Sequence, residues 1–558
     1  MQPRRRNGYI ISYGALFFVL LYRSFLSVEL TDEVHGIASI YNIYLGKRPF
    51  MTSWDYHTGW CLLAPLFSLF HMVSPEFEGI VLFFRIVYLL FTVLCVGIVS
   101  WLLYQKEQSP CIWYFVFPVI FFVPTSIFQI SYNSLTIYLL MLVAVILITS
   151  EEEKIERIRY FCLGTLMGIG CINYPTLAVL AVGLTVWIAI KNKKGYWKSK
   201  TLFYIVGGGT TALIFLWWIF SDGNMTLFLQ ALNGMLTSPH EKTKGNIDSQ
   251  YLLQTFYEPL KGYFISGFGI CSLIYLTIQI VFGVYLHKRF WNWVFLCLFL
   301  MLNAWSNKGT YGYVVLGILI AYSYLLLTDR RLWRQSKELL GILLGYILTY
   351  SFTSDNRNVM AAFEVAGPLI CLCAGVILWE AAKEKHVAQP IFPLLLLGIS
   401  GVLSIYTYVY RDEPVGFLNQ RVESGIYKGL YTTERRKQMV EQAEQEINSV
   451  ITENETVCVV TRAPMIYLMS KANICAPQTW DAQFLVRGNI SAEPLLSYFE
   501  SVNQIPDVLV ATSLDIPDFI NQEQYEIQKF IKEYYSLYYD NQIEGMDIWV
   551  WKRKNKKY

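Results

Sequence analysis

Thr31-Asp32-Glu33-Val34-His35-Gly36 sets two adjacent carboxylates immediately after a long apolar run at residues 9–30. Carboxylates at the point where a chain leaves hydrocarbon are costly unless they are solvated or used. One use is chemical: a hydroxyl nucleophile must lose its proton as it attacks, and a carboxylate at the water–lipid boundary accepts it. Asp32 is the candidate base. Asp is also a favoured helix N-cap, and the two roles are compatible. Ile37, Ile40, Tyr41, Tyr44 and Leu45 recur at helical spacing, which predicts an amphipathic helix over 32–45 lying on the membrane surface. Glu33 assists the base, binds a metal, or favours that helix N-terminus; the last reading is preferred.

The stretch Gly46-Lys47-Arg48-Pro49-Phe50-Met51-Thr52-Ser53-Trp54-Asp55-Tyr56-His57-Thr58-Gly59 is dense in groups that bind a phosphate or a sugar, with Arg48, Asp55, Tyr56 and His57 foremost. Asp55 and His57 line an acceptor site or make local turns, with equal weight. Arg85, in Phe83-Phe84-Arg85-Ile86, lies inside an apolar run, where an arginine is expensive without a partner. Lys261, Lys308 and Arg357 sit at the ends of apolar runs, where solvation is cheap. Glu364, inside a later run, is a candidate partner for one of them.

These groups need elements to position them, and composition says which kind. Of the 558 residues, 54% are hydrophobic, 16% are charged and 16% are aromatic. The mean hydropathy is +0.37. A soluble chain usually carries about a quarter charged residues. The net charge of +3 is too small, and the basic residues too scattered, for nucleic-acid binding. A bilayer-crossing helix needs about 20 apolar residues. Thirteen runs qualify as candidates: 9–30, 78–104, 110–130, 132–150, 159–174, 176–191, 201–221, 265–286, 290–305, 309–328, 337–352, 359–381 and 389–410. Residues 58–73 look too short to cross and read as a helix in the outer interface. Arg4–Arg6 ahead of the first run superficially resemble a signal peptide, but no small-residue cleavage pattern follows, so a retained first helix is expected.

Short cytoplasmic loops collect Lys and Arg. With Arg4–Arg6 inside, basic clusters fall on that same side at Lys106, 154–159, 191–200, 287–289, 330–334 and 383–386, provided 58–73 does not cross. That arithmetic puts 31–77, 222–264, 353–358 and everything after about 411 outside. The expected organisation is an α-helical polytopic membrane domain over 1–410 and a small extracytoplasmic α/β domain over 411–558. In the latter, helices are expected near 433–450, 463–470 and 522–535, and strands at 457–461, 507–512 and 546–551. Most of the eleven cysteines lie in apolar runs and none has metal-ligand spacing. Cys458 and Cys475, in the polar region, either pair in an oxidising compartment or remain core thiols.

Asp32-Glu33 after the first run, the amphipathic stretch ending in Gly46-x-x-Pro49, Trp54-Asp55-x-His57 and the Pro65-containing apolar helix together resemble the first loop of GT-C-type glycosyltransferases. The similarity is greatest to bacterial relatives of the protein mannosyltransferases and of the aminoarabinose transferase, and it extends to Arg85. It implies a GT-C-like body of about thirteen transmembrane helices in the cell membrane. It also implies inverting transfer of a hexosyl or pentosyl group from a polyprenyl-phosphate donor to an extracytoplasmic glycan, lipid or protein, with Asp32 as base. The leaving group is a lipid phosphate, so cations replace a general acid; Arg48, Arg85, Lys261 and Arg357 are the candidates, with Lys308 as a further substrate contact. No metal or other cofactor is expected. Asn133 and Tyr174 stand where relatives often carry Asp and Lys, so a donor contact there is missing or replaced.

Three other readings fit many spans. A transporter or flippase of lipid-linked glycan needs cations near mid-membrane, but no internal repeat is visible and the carboxylates gather at one face. A non-catalytic scaffold leaves Asp32-Glu33 unexplained. A ligase or polymerase of O-antigen type would place its chemistry in a large later loop, and 222–264 is modest.

Overall fold

The computed structural model describes residues 14, 17–149, 156–191, 197–221, 225–237, 249–281, 289–305, 311–353, 358–383, 391–407, 409–480, 485–486, 489–490, 492–521 and 526–554. The chain divides into two compact units, each drawing on several stretches: 1–24, 86–212 and 246–410 form the first, and 25–85, 213–245 and 411–558 the second.

The first unit is helical. The apolar runs become Tyr132–Thr149, Glu156–Asn173, Ala178–Lys191, Trp197–Phe220, Arg289–Trp305, Tyr311–Thr328, Arg330–Thr353 and Ile391–Thr407. Three described helices, Ile80–Glu107, Tyr132–Thr149 and Lys200–Phe220, are long and apolar enough to cross a membrane, or five spans if each of two bent pairs counts as one. Only 17% of the Lys200–Phe220 window is buried. Val179, Val182, Val186 and Ile190 form an exposed stripe at helical spacing on Ala178–Lys191. Apolar surface this extensive is expected against lipid, not water.

The expected spans 110–130 and 359–381 are broken, and the expected span 265–286 begins at a bend. The run 110–130 becomes Ile112–Val116 and the 3-10 turns Phe117–Phe121 and Pro124–Ser126. Pro118 and Pro124 remove backbone donors, and Thr125 and Ser126 adopt positive φ of 53° and 57°. Ser249–Ile265 and Gly267–Gln279 meet at 79°, and Val359–Val365 and Gly367–Ala382 at 66°. Arg23, in the first apolar run, is buried; its Nε donates to the Ile405 carbonyl at 2.8 Å, and its guanidinium lies 4.9 Å from the centroid of the Phe128 ring. Lys261 pairs with Glu258 at 3.5 Å, not with Glu364.

Glu156–Asn173 and Trp197–Phe220 approach through glycine. A Cβ on Gly164 would collide with the Tyr204 carbonyl, and one on Gly207 with the Phe161 carbonyl. Small residues four apart, here Gly164 and Gly168, let membrane helices pack backbone to backbone. Gly164→Val should therefore lower stability by at least about 1–3 kcal/mol. Gly183→Ala, where a Cβ meets nothing within 4 Å, should change it little. Thermal unfolding in detergent measures both, and equal melting temperatures would refute the packing argument.

In the second unit, the helix Asp32–Tyr44 keeps the expected bounds of 32–45, but every residue from Glu33 to Asn42 is buried, so it is enclosed by protein and does not lie on a surface by one apolar face; residues 58–73 become a 3-10 turn, Thr58–Leu62, and Ala64–Val73. Ten helical residues rise about 15 Å, half a bilayer core. The C-terminal residues form a five-stranded sheet of β1 (Thr456–Val459), β2 (Asn473–Ile474), β3 (Val508–Thr512), β4 (Tyr535–Ile543) and β5 (Met546–Arg553), in the order β2-β1-β3-β5-β4. The β1–β2 and β1–β3 pairings are parallel; β3–β5 and β4–β5 are antiparallel. Every residue of β3 is buried, as suits a central strand covered on both faces. Glu434–Val450 turns Val440, Ala443, Ile447 and Val450 inward, and Thr433 caps it by accepting from Arg436 N. Cys458 and Cys475 are both buried free thiols, so the disulfide alternative does not hold.

Candidate active site

The helix expected over 9–30 stops at Ser24, and residues 25–31 are not helical. Strand-like contacts take over: Tyr431 N donates to the Phe25 carbonyl at 2.7 Å, Ser27 N to the Tyr431 carbonyl at 2.8 Å, and Val28 N to Asp412 Oδ2 at 2.7 Å. Glu29 thus lies beyond the first helix. Its buried carboxylate turns to the start of Asp32–Tyr44, where orphan N–H groups point outward. Oε2 accepts from Thr31 N at 2.9 Å and Glu33 N at 2.7 Å, and Oε1 accepts from Thr31 Oγ1 at 2.5 Å. The Tyr427 hydroxyl donates to the Glu29 carbonyl at 2.9 Å. Burial, then the neighbouring Asp32 charge, push the Glu29 carboxyl up to about 7, against the lowering effect of the Thr31 and Glu33 donors.

Asp32 is the first helical residue, not the N-cap; Thr31 holds that place and makes no side-chain cap. Capping falls to Glu29 instead. Asp32 is about a quarter exposed, and its Oδ2 lies 3.2 Å from Arg411 Nη2. Arg411 also reaches Glu29 Oε1 at 3.7 Å and donates to the Thr31 hydroxyl. One guanidinium therefore serves both carboxylates. Its backbone is held at φ +55°, a left-handed conformation that costs a residue with a side chain about 1 kcal/mol or more. Arg436 Nη1 secures that turn by donating to the carbonyls of Arg411 at 2.6 Å and Val28 at 2.8 Å.

Beside these groups is a cavity of about 280 Å³, lined by Glu29, Thr31, Arg411, Arg436, Arg462 and Asp515 together with Leu30 and Leu514. Three guanidiniums face it. Arg436 lies 3.6 Å from Asp412 and Arg462 lies 3.6 Å from Asp515, so each is oriented by a carboxylate. Such a wall takes an anionic group, arginine matching phosphate oxygens well.

The residues expected from sequence divide into several groups. Glu33 and Arg85 meet in a buried bidentate pair, Nε to Oε1 and Nη2 to Oε2 both at 2.6 Å, and Arg85 Nη1 donates to the Leu26 carbonyl at 2.9 Å. This pair fixes the first helical turn behind Asp32. Asp55 is buried and accepts from His57 N at 2.9 Å, Trp60 Nε1 at 3.2 Å and Ser39 Oγ at 3.3 Å, which is the local-turn reading. Burial pushes its carboxyl up to about 6 despite those donors. His35 is kept neutral, its pKa lowered to about 3 by burial, and its Nδ1 lies 3.1 Å from Thr479 Oγ1. Trp54 is fully buried against Tyr498, and its N donates to the Pro477 carbonyl at 2.6 Å.

Arg48 lies 4.5 Å from the centroid of the Trp218 ring. Tyr56 is half-buried, and His57 borders a cleft of about 10 Å³, room for a water at most. Lys261, in the first unit, is engaged with Glu258. Lys308 and Arg357 lie outside the described residues. Among the described residues, no group of three His, Cys, Asp or Glu side chains is arranged to hold a metal ion.

Sequence reasoning missed Glu29, Arg411, Arg436 and Arg462. The signals were faint: Glu29 interrupts the apolar run, and Arg411-Asp412-Glu413 is a charged cluster directly after the last one.

No protein-family model matches this sequence, and no curated protein matches it. Among solved structures, ArnT from Cupriavidus metallidurans bound to undecaprenyl phosphate is similar over 97% of this chain and 98% of its own, with 11% identity and a TM-score of 0.45. The functional reading rests on the side chains described above.

Proposed function

We propose that the chain is a membrane glycosyltransferase that moves a sugar from a polyprenyl-phosphate donor to an extracytoplasmic glycan, lipid or protein, inverting the anomeric centre, with Asp32 as general base. The observation that carries this is the arrangement of Asp32 and Glu29 on one arginine, Arg411, at a cavity whose other cations are Arg436 and Arg462. The acceptor oxygen forms a bond to the anomeric carbon while its proton passes to the Asp32 carboxylate. The bond from that carbon to the phosphate oxygen breaks, and its electron pair leaves with the lipid phosphate. The growing charge is met by guanidiniums, so no proton donor is needed on the leaving side. Asp32 is exposed enough to meet a hydroxyl and lies at the start of a helix, where its charge is favoured.

The cation role passes from Arg85 and Arg48, which hold Glu33 and Trp218, to Arg411, Arg436 and Arg462. A charge-assisted hydrogen bond contributes about 1.5–3 kcal/mol. Arg462→Ala should therefore lower kcat/KM for the lipid-linked donor by about 10–100-fold, mostly through KM. Steady-state kinetics with a short-chain polyprenyl-phosphate sugar measures this, and unchanged donor KM would remove the cavity from the donor site.

A second reading, movement of the lipid-linked sugar across the bilayer, draws on the two bent helix pairs, since transporters use discontinuous helices. It gives the Asp32–Arg411–Glu29 arrangement no task.

A further inference from the structure

The carboxylate that caps the first loop helix is also the second acceptor for the arginine that holds Asp32, and the mechanism above leaves it unused. We propose that Glu29 is a positioning residue that sets how Arg411 is shared with Asp32, so that the readiness of Asp32 to accept a proton follows pH. This rests on the transferase reading.

The geometry fixes where a proton on Glu29 must sit. Oε2 already accepts two backbone N–H groups, those of Thr31 and Glu33. A proton therefore goes to Oε1, the oxygen that faces the Thr31 hydroxyl and Arg411 Nη1. Protonated, Oε1 no longer attracts Arg411, and the guanidinium is left to Asp32 Oδ2. A base neutralised by a full cation is a poor proton acceptor. Ionised, Glu29 draws Arg411 toward itself and leaves Asp32 more of its charge.

The other charged groups around Glu29 do not duplicate this role. On its own segment are Asp32 and, more weakly, Glu33, whose charges both oppose its ionisation; Glu33 is held by Arg85 from Ile80–Glu107. From the C-terminal residues come Tyr427, bonded to its carbonyl, and Arg436 with Asp412, bonded to each other and to residue 28. Arg462 and Asp515 face it across the cavity and pair together. Arg411 reaches both carboxylates. Burial brings the Glu29 carboxyl up to about 7, so the switch falls in the neutral range. Activity should rise as pH rises through it.

Two readouts on the full-length protein test this. In infrared titrations, wild type minus Glu29→Gln should reveal a protonated-carboxyl band lost as pH rises through about 7. Arg411→Ala should move that midpoint up by about 1 pH unit, because removing a nearby cation disfavours the carboxylate. In transfer assays, wild type should show a rising limb near neutral pH that Glu29→Gln abolishes. A merely structural Glu29 would lower the rate at every pH and leave the limb in place. Should Glu29→Gln not fold, the half-exposed Arg411 carries the test: Arg411→Ala should abolish the limb, because the shared guanidinium through which Glu29 acts is gone. A band midpoint indifferent to Arg411, or a limb unchanged in the variants, overturns the inference. Absence of sugar transfer by wild type would instead count against the transferase reading, and the infrared titration still decides whether Glu29 and Arg411 are coupled.

Discussion

We expect Asp32→Asn to lower sugar transfer by about 10²–10⁴-fold, the range that a positioned general base contributes, and to leave the amount of membrane-inserted protein unchanged. The substitution keeps the shape and removes the charge and the basicity. Asp32 is partly solvated, so no buried hole or stranded charge results. What the fold loses is a favourable charge at the first helical position, about 0.3–1 kcal/mol, and an ion pair to a half-exposed arginine that is discounted for screening. Rate and stability should thus separate. Single-turnover transfer on the variant, with protein quantified in the membrane fraction, checks this, and wild-type rates would remove Asp32 from the chemistry.

Arg85→Ala has the largest expected effect on the fold. It strands Glu33, an ionised group only 2% exposed, and removes the donor from the Leu26 carbonyl. Breaking a buried pair from one side typically costs about 3–5 kcal/mol. Removing both partners should cost far less, because the penalty comes from the unpaired charge and not from the loss of attraction. Arg85→Met with Glu33→Gln should therefore recover most of the melting temperature lost in Arg85→Ala. A single variant as stable as wild type, or a double variant worse than the single, would show that the pair is not what holds the first helical turn. This differs from the role that the sequence suggests for Arg85. An arginine inside an apolar run signals a partner, and here the partner is a protein carboxylate.

The helices were legible where a local pattern decides them. Residues 132–150, 32–45 and 433–450 become Tyr132–Thr149, Asp32–Tyr44 and Glu434–Val450, because apolar periodicity is a property of the segment itself. The helix expected near 522–535 ends at Tyr534, as the local pattern suggests, and the aromatic-rich stretch from Tyr535, where no strand is expected, pairs with β5.

The candidate site was half legible. Asp32 and Glu33 declared themselves by chemistry at a boundary. Glu29 did not, since Val28 and Leu30 on either side make it look like part of a span. Only the pairing of residues 25–31 with Asp412 and Tyr431, some four hundred residues away, ends the helix and turns Glu29 toward the next one. Arg411, Arg436 and Arg462 share no motif with Asp32; they are brought together by the fold of the second unit, and no spacing along the chain announces that.

The most direct measurement of the central claim uses purified full-length protein in liposomes with a polyprenyl-phosphate donor carrying a radiolabelled sugar, supplied with a cell-envelope fraction containing glycan, lipid and protein. Label should leave the polyprenyl lipid for a glycosidically bonded product, with one polyprenyl phosphate released per sugar transferred, and Asp32→Asn should do neither. Label that stays on the polyprenyl lipid and only changes leaflet, equally in wild type and Asp32→Asn, would contradict that claim.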